Sequence, residues 1–224
     1  MKILTIGTGS KGNSYILTSE NGKHLILDAG LPIAEIKRGL NFDIGNVVGC
    51  LVSHSHHDHD MSADKIENMA IRVFRPYLME QKILKTTMDG FKITSFDVPH
   101  NGTECRGFII EVDGKKILYA TDLEYLPYTF TNQRLNVMMI ECNYQEDRIV
   151  TENGHRDHVL LGHCELSTCR DFVAENVTDA LKTIILIHPS QSGGLDKARA
   201  VNEIQAVAPG TKVYMATKGL EVDI

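Results

Sequence analysis

The chain contains no tryptophan, only six prolines, and aromatic residues at just 6% of its 224 positions. It has no apolar run approaching the roughly 20 residues that a membrane-spanning helix needs, so no membrane partner is expected. Met1 to Ile6 reads as a strand and lacks the charged and apolar regions of a secretory leader, so a cytoplasmic location is expected. Basic residues are in deficit: 23 Lys and Arg against 29 Asp and Glu give a net charge of -6. That balance removes any global field for nucleic acid and leaves room only for a local basic patch. The five cysteines, at 50, 105, 142, 164 and 169, are odd in number and form no C-x-x-C pair. Reduced thiols of a cytoplasmic protein account for them. No repeat, linker or low-complexity stretch interrupts residues 1–224, which read as a single domain long enough to bury a full core.

What the sequence has is histidine, ten in all. The chain is organised around His54-Ser55-His56-His57-Asp58-His59-Asp60, directly after the apolar run Val47 to Val52. A short apolar run of this kind is a buried strand. The cluster therefore lies where a core strand meets a loop, the usual position of functional groups on a rigid scaffold. His54, His56, Asp58 and His59 follow one another at spacings of two, two and one. On an extended segment His54 and His56 share a side, while Asp58 and His59 turn to a second point as the chain enters a helix expected near Ser62. Two adjacent sets of nitrogen and oxygen donors suit a pair of divalent cations. A solvated polar loop or a chance histidine run is the competing reading. It leaves the acid, the internal position and the preceding strand without a reason.

Along the chain, strands are expected over Lys2 to Gly7, Ser14 to Thr18, His24 to Asp28, Ile71 to Phe74 and Phe91 to Val98. Further strands follow over Arg106 to Val112, Lys116 to Thr121, Val137 to Ile140 and Thr183 to Ile187, with Lys212 to Met215 and Leu220 to Val222 closing the sheet. Helices are expected over Pro32 to Leu40, Ser62 to Met69, Leu78 to Leu84, Leu166 to Asn176 with Ser167 as its cap, and Lys197 to Val207 capped by Asp196. Gly7-Thr8-Gly9-Ser10-Lys11-Gly12 fits G-x-G-x-x-G, but a β-rich segment follows it, so it is a tight bend exposing backbone N–H groups and not a dinucleotide turn. Tyr144 to Gly162 reads as a polar loop; its His155 and His158 could line a substrate mouth, though a plain loop is the simpler account. Asp28, His54, His100, Asp122 and His188 each end a separate apolar strand. Buried polar groups need partners, and five such endings are hard to attribute to chance.

Together these residues resemble the metallo-β-lactamase superfamily, over almost the entire chain. His54, His56, Asp58 and His59 match its H-x-H-x-D-H motif, and Asp28, His100, Asp122 and His188 match its other motif positions in order. The resemblance implies an α+β, four-layer αββα sandwich. It implies that His54, His56 and His100 hold one metal, that Asp58, His59 and His188 hold a second, that Asp122 bridges both, and that Asp28 orients the site from behind the ligands. Two zinc ions are implied, with Mn²⁺ or Fe²⁺ tolerated by the same donors. The glycine loop Gly7 to Ser14, Glu141-Cys142-Asn143, and Gly162-His163-Cys164-Glu165-Leu166-Ser167 resemble the phosphodiesterase-like branch, which includes exonuclease-like proteins, tRNase Z and the phosphoribosyl cyclic phosphate phosphodiesterase. His163 is then the residue implied to assist the leaving group, although extra residues separate it from Ser167. Asp60-Met61-Ser62 departs from the apolar residue and glycines that often follow the motif, and His57 fills a variable position.

The function implied is hydrolysis of a phosphodiester by hydroxide made at two metals, with Asp58, Asp122 and His163 as the catalytic side chains. The substrate is a small cyclic nucleotide or a nucleic-acid end, the latter needing only a local patch around Lys11. A homodimer is a further expectation. Thioester, lactone or β-lactam hydrolysis on the same fold is the nearest alternative, followed by a metal-binding interaction module without catalysis. Redox chemistry is disfavoured because the diiron flavoprotein branch typically has Glu where this chain has His56.

Overall fold

The computed structural model describes residues 1–149, 162–191 and 194–224. The first sheet begins with β1 (Lys2–Gly7), β2 (Ser14–Thr18), β3 (His24–Leu27), β4 (Val47–Leu51) and β5 (Val73–Phe74), side by side in that order. The second takes β6 (Leu84–Met88), β7 (Phe91–Val98), β8 (Cys105–Val112), β9 (Lys115–Ala120), β10 (Val137–Glu141), β11 (Thr183–Ile187) and β12 (Lys212–Met215), also in sequence order. The last strand, β13 (Glu221–Asp223), returns to the outer edge of β1. The strands expected at 212–215 and 220–222 therefore close two different sheets. Each sheet has an antiparallel half and a parallel half: β3 runs parallel to β4, and β9 to β12 are parallel throughout.

Helices α1 (Ile33–Gly39), α2 (His57–Asp60) and α3 (Ala63–Glu67) belong to the first sheet; α4 (Leu166–Asn176) and α5 (Lys197–Val207) cover the second. The layering follows from side-chain alternation along each strand. Leu17, Leu25, Leu27 and Leu51 face inward onto Phe91, Phe108, Tyr119 and Ile185 of the facing sheet. Their neighbours Ile16, Ile26 and Cys50 turn outward onto Ile36 of α1 and Ile66 of α3. On the far side, Leu118, Met138 and Ile184 pack against Phe172, Val173 and Ile204. This is the αββα sandwich.

Three local expectations are corrected. Residues 78 to 84 are not helical: a 3-10 turn at Pro76–Leu78 leads into β6. The buried Arg106 guanidinium donates to the carbonyls of Met79 and Lys82 at 3.1 and 3.2 Å, satisfying groups that a helix would otherwise use. Lys85-Thr86-Thr87 then pairs with Thr94-Ile93-Lys92 of β7, where β-branched residues suit the pleat. The cap of α4 is Glu165 and not Ser167: its carboxylate accepts the N–H groups of Ser167 and Thr168. The chain also turns helical within the histidine motif, at α2, before Ser62.

One close approach fixes α2 against the sheet. Gly30 follows β3, and a Cβ placed on it would lie 1.6 Å from the Asp58 carbonyl oxygen. Both partners are backbone, so neither can swing away. Gly30→Ala should therefore cost about 3 kcal/mol or more, at the upper end of overpacking penalties, read as a shift in the urea midpoint. Gly45→Ala, which meets nothing within 4 Å, serves as control. Equal midpoints for the two variants would contradict the packing described.

Candidate metal centre

The strand ends converge at one edge of the sandwich. Asp28 follows β3, His54 follows β4, His100 follows β7, Asp122 follows β9, Glu141 ends β10, and His188 follows β11; all six are buried. Asp28, Asp122 and His188 adopt φ of 57°, 48° and 50°. Left-handed backbone at a residue other than glycine costs on the order of 1–3 kcal/mol. These turns, after β3, β9 and β11, re-aim side chains that would otherwise continue the pleat.

Asp122 is the centre of the cluster. Its Oδ2 lies 3.8 Å from His54 Nε2 and 3.9 Å from His100 Nε2. Its Oδ1 lies 3.2 Å from His59 Nε2 and 3.4 Å from His188 Nε2. The two carboxylate oxygens thus face two different histidine sets. His56 Nδ1 joins the first set 3.2 Å from His100 Nε2. Asp58 joins the second, with Oδ2 3.6 Å from His59 Nε2 and 3.7 Å from His188 Nε2. One donor atom from each of His54, His56, His100 and Asp122 falls within 4.8 Å of the others, and the same holds for Asp58, His59, Asp122 and His188. Every metal-ligating residue expected from the sequence is therefore brought to the site, in the two expected groups.

The residues fit a pair of divalent cations. The Nε2 atoms of His54 and His188 are buried and have no hydrogen-bond partner among the described residues, an arrangement that costs free energy unless something else engages them. The outward nitrogens are held instead. His59 Nδ1 donates to Asp28 at 2.7 Å and His100 Nδ1 to the Gly162 carbonyl at 2.7 Å. His188 Nδ1 lies 3.0 Å from Glu141 Oε1. Fixing one ring nitrogen aims the other, which is how ligating histidines are oriented. Asp28 is itself fixed: the Ser53 N–H donates to it at 2.8 Å, and the Ser53 and Tyr119 hydroxyls donate as well.

Electrostatics divide the two groups. Burial, with His59 as a nearby charge, pushes the His54 pKa well down, and burial lowers that of His100. Burial also opposes charge on His59, but the Asp122 and Asp28 carboxylates outweigh it and hold its pKa well above the usual value. For His188 burial is again overridden by Asp122, Asp58 and Glu141, which raise the pKa to about 10. Asp122 is deeply buried, yet His188 and His59 hold its carboxyl well below the ordinary range.

His163 lies beside the second group, its ring stacked on His188 with centroids 5.1 Å apart. Its Nδ1 is 2.7 Å from Glu141 Oε1. The Glu141 carboxylate overcomes burial and raises the His163 pKa. Glu141 is the residue that sequence reasoning underweighted: it was legible only as part of the Glu141-Cys142-Asn143 segment, yet one of its oxygens joins His163 to His188 and the other accepts the Leu123 N–H at 2.8 Å. Asn13 is legible only as part of the glycine loop Gly7 to Ser14, while Ser53, between β4 and the histidine motif, and Tyr119, inside β9, carry no spacing signal. His57 is exposed and stands outside both groups. His155 and His158 lie outside the described residues.

Residues 7–68 match the family model described as the metallo-beta-lactamase superfamily. No curated protein sequence matches the chain. Among solved structures, it is similar to the metallo-beta-lactamase fold protein YhfI from Bacillus subtilis, at 17% identity and TM-score 0.71, covering 99% of this chain and 98% of that one. The human tRNase Z short form gives 14% identity and TM-score 0.63, covering 100% and 99%. A diphosphatase of the PhnP family gives 13% identity and TM-score 0.65, covering 100% and 97%.

The raised His188 pKa sets a pH signature. Its folded value of about 10 exceeds the ordinary 6.5, so the metal-free protein has that stabilisation in full below pH 6.5 and loses it as pH rises towards about 10. Metal binding needs the same nitrogen deprotonated, so stabilisation by added metal should grow over that window. Melting temperatures taken from pH 6.5 to 9, with chelator and with metal, should diverge. Parallel curves would refute the assignment.

Proposed function

We propose that this member of the metallo-β-lactamase superfamily is a metal-dependent phosphodiesterase. The observation that carries the reading is the His163–Glu141 pair, a buried carboxylate and an imidazole, set against His188 at the edge of two donor groups that share Asp122. Two of the similar structures bear the names of a tRNase and a diphosphatase, which supports chemistry at phosphorus. The donor groups together hold five imidazoles and two carboxylates, a nitrogen-rich set that favours zinc over hard oxygen-seeking cations, with Mn²⁺ or Fe²⁺ tolerated. The five cysteines are all buried and unpaired, which supports a reducing, cytoplasmic setting.

Bound divalent cations supply an activated water at neutral pH and neutralise charge on the phosphoryl oxygens. The chain's own residues do the rest. His54, His56 and His100 would hold one cation and Asp58, His59 and His188 the other, with Asp122 turning one oxygen to each group. Asp28 keeps His59 in the tautomer whose Nε2 faces the centre. Glu141 accepts the Nδ1 proton of His163 and favours its charged form, so that His163 can release the Nε2 proton to the departing alkoxide. Burial of His54, His59, His100, Asp122 and His188 limits water at the centre, while His56 and Asp58 stay partly exposed.

Two variants separate these roles. Asp58→Ala should abolish hydrolysis of bis-p-nitrophenyl phosphate and lower the bound metal to one equivalent, measured by elemental analysis. His163→Ala should keep both metals and lose about 10²–10⁴-fold in kcat on a dinucleotide, the range for general-acid removal. Its loss on bis-p-nitrophenyl phosphate should be smaller, because nitrophenolate departs without a proton. Turnover of a thioester but of no phosphodiester by the metal-loaded wild type would overturn the proposal.

A further inference from the structure

The bend between β1 and β2, residues 8–13, lies against the metal centre and contributes no ligand to it. Thr8 Oγ1 accepts the His188 N–H at 2.8 Å, and the Asn13 N–H donates to the Asp58 carbonyl at 2.8 Å. Asn13 Nδ2 lies 2.9 Å from His59 Nε2. The bend is thus tied to three of the four residues of the second donor group, Asp58, His59 and His188.

Its tip is Gly9-Ser10-Lys11-Gly12, closed by the Gly12 N–H donating to the Gly9 carbonyl at 2.9 Å. The flanking glycines take φ of +99° and +136°, and a Cβ on Gly12 would lie 2.3 Å from the Gly30 carbonyl oxygen, so the tip is held in place. Ser10 and Lys11 are exposed. Neither of their backbone N–H groups meets an acceptor among the described residues. The Lys11 ammonium has no carboxylate partner among them, as is true of most lysines here; what sets it apart is its place on a turn tied to Asp58, His59 and His188. In a chain of net charge -6, two exposed N–H groups free of protein acceptors and a cation on one fixed turn beside the metal centre make a site for an anion.

We propose that this turn holds a second phosphate of the substrate, next to the one hydrolysed, and that Lys11 is a specificity-determining residue for it. The inference rests on the phosphodiesterase reading. A cyclic mononucleotide carries one phosphate, which the metal centre takes, and offers nothing to a second anion subsite. A nucleic-acid end carries a row of them. The geometry therefore favours a single-stranded nucleic-acid end over a small cyclic nucleotide.

The test compares the dinucleotide TpT with pTpT and TpTp, which add one terminal phosphate on either side. Wild type should prefer one of the phosphorylated forms about tenfold in kcat/KM, through KM, the size of effect expected of one charge-assisted contact. Lys11→Ala should erase that ratio, and Lys11→Arg should keep it. Binding supplies an arm independent of turnover: labelled single-stranded dT10, titrated against salt, should show a log-log slope shallower by about 0.7 in Lys11→Ala, the value of one phosphate contact on a single strand. An unchanged ratio or unchanged slope in Lys11→Ala would overturn the subsite. If wild type hydrolyses none of the dinucleotides yet binds dT10 through Lys11, the subsite stands and the phosphodiesterase reading falls. Absence of both turnover and binding overturns the two together.

Discussion

The fold turns on how a carboxylate can remain charged where no water reaches it. Asp122 is buried between the sheets, and an isolated ion there would be prohibitively costly. Four imidazoles within 3.2 to 3.9 Å of its oxygens supply the compensation. They come from β4, α2, β7 and β11, so both sheets must be in register before the charge is satisfied. Around this pair of oxygens the molecule is arranged in rings: imidazoles first, then Asp28, Glu141 and Gly162 fixing those imidazoles, then the apolar layers fixing the strands.

This explains why three of the strand-end residues tolerate left-handed backbone. Glycine would be easier at Asp28, Asp122 and His188, but glycine carries no donor. The strain is offset by the packing of strands whose residues are almost all buried, such as β10 and β11. It is the pattern expected where function and local preference conflict.

Much of this was legible in the sequence because its signals are periodic or clustered. The motif at 54–59, the apolar strands before Asp122 and His188, and the capped helix after Asp196 each combine a pattern with a boundary. The residues that escaped notice are those whose meaning depends on distant partners. Arg106 looks like an ordinary strand residue until its guanidinium is seen holding the carbonyls of Met79 and Lys82, a contact that, with the pairing of β6, accounts for the missing helix at 78–84. Glu141 lies 22 positions from His163 and 47 from His188, separations at which no local rule operates. The helix at His57–Asp60 is too short for any periodicity to announce it.

The order in which the donors occur along the chain bears on biogenesis. His54, His56, Asp58 and His59 are synthesised early, with the first sheet, whereas His100, Asp122 and His188 arrive only as the second is made. A nascent chain exposing the early group can offer a passing cation some imidazoles and one acid, but not Asp122. Tight capture must wait for the later strands to dock, so the full donor set exists only once β11 lies beside β10 and the two sheets have met.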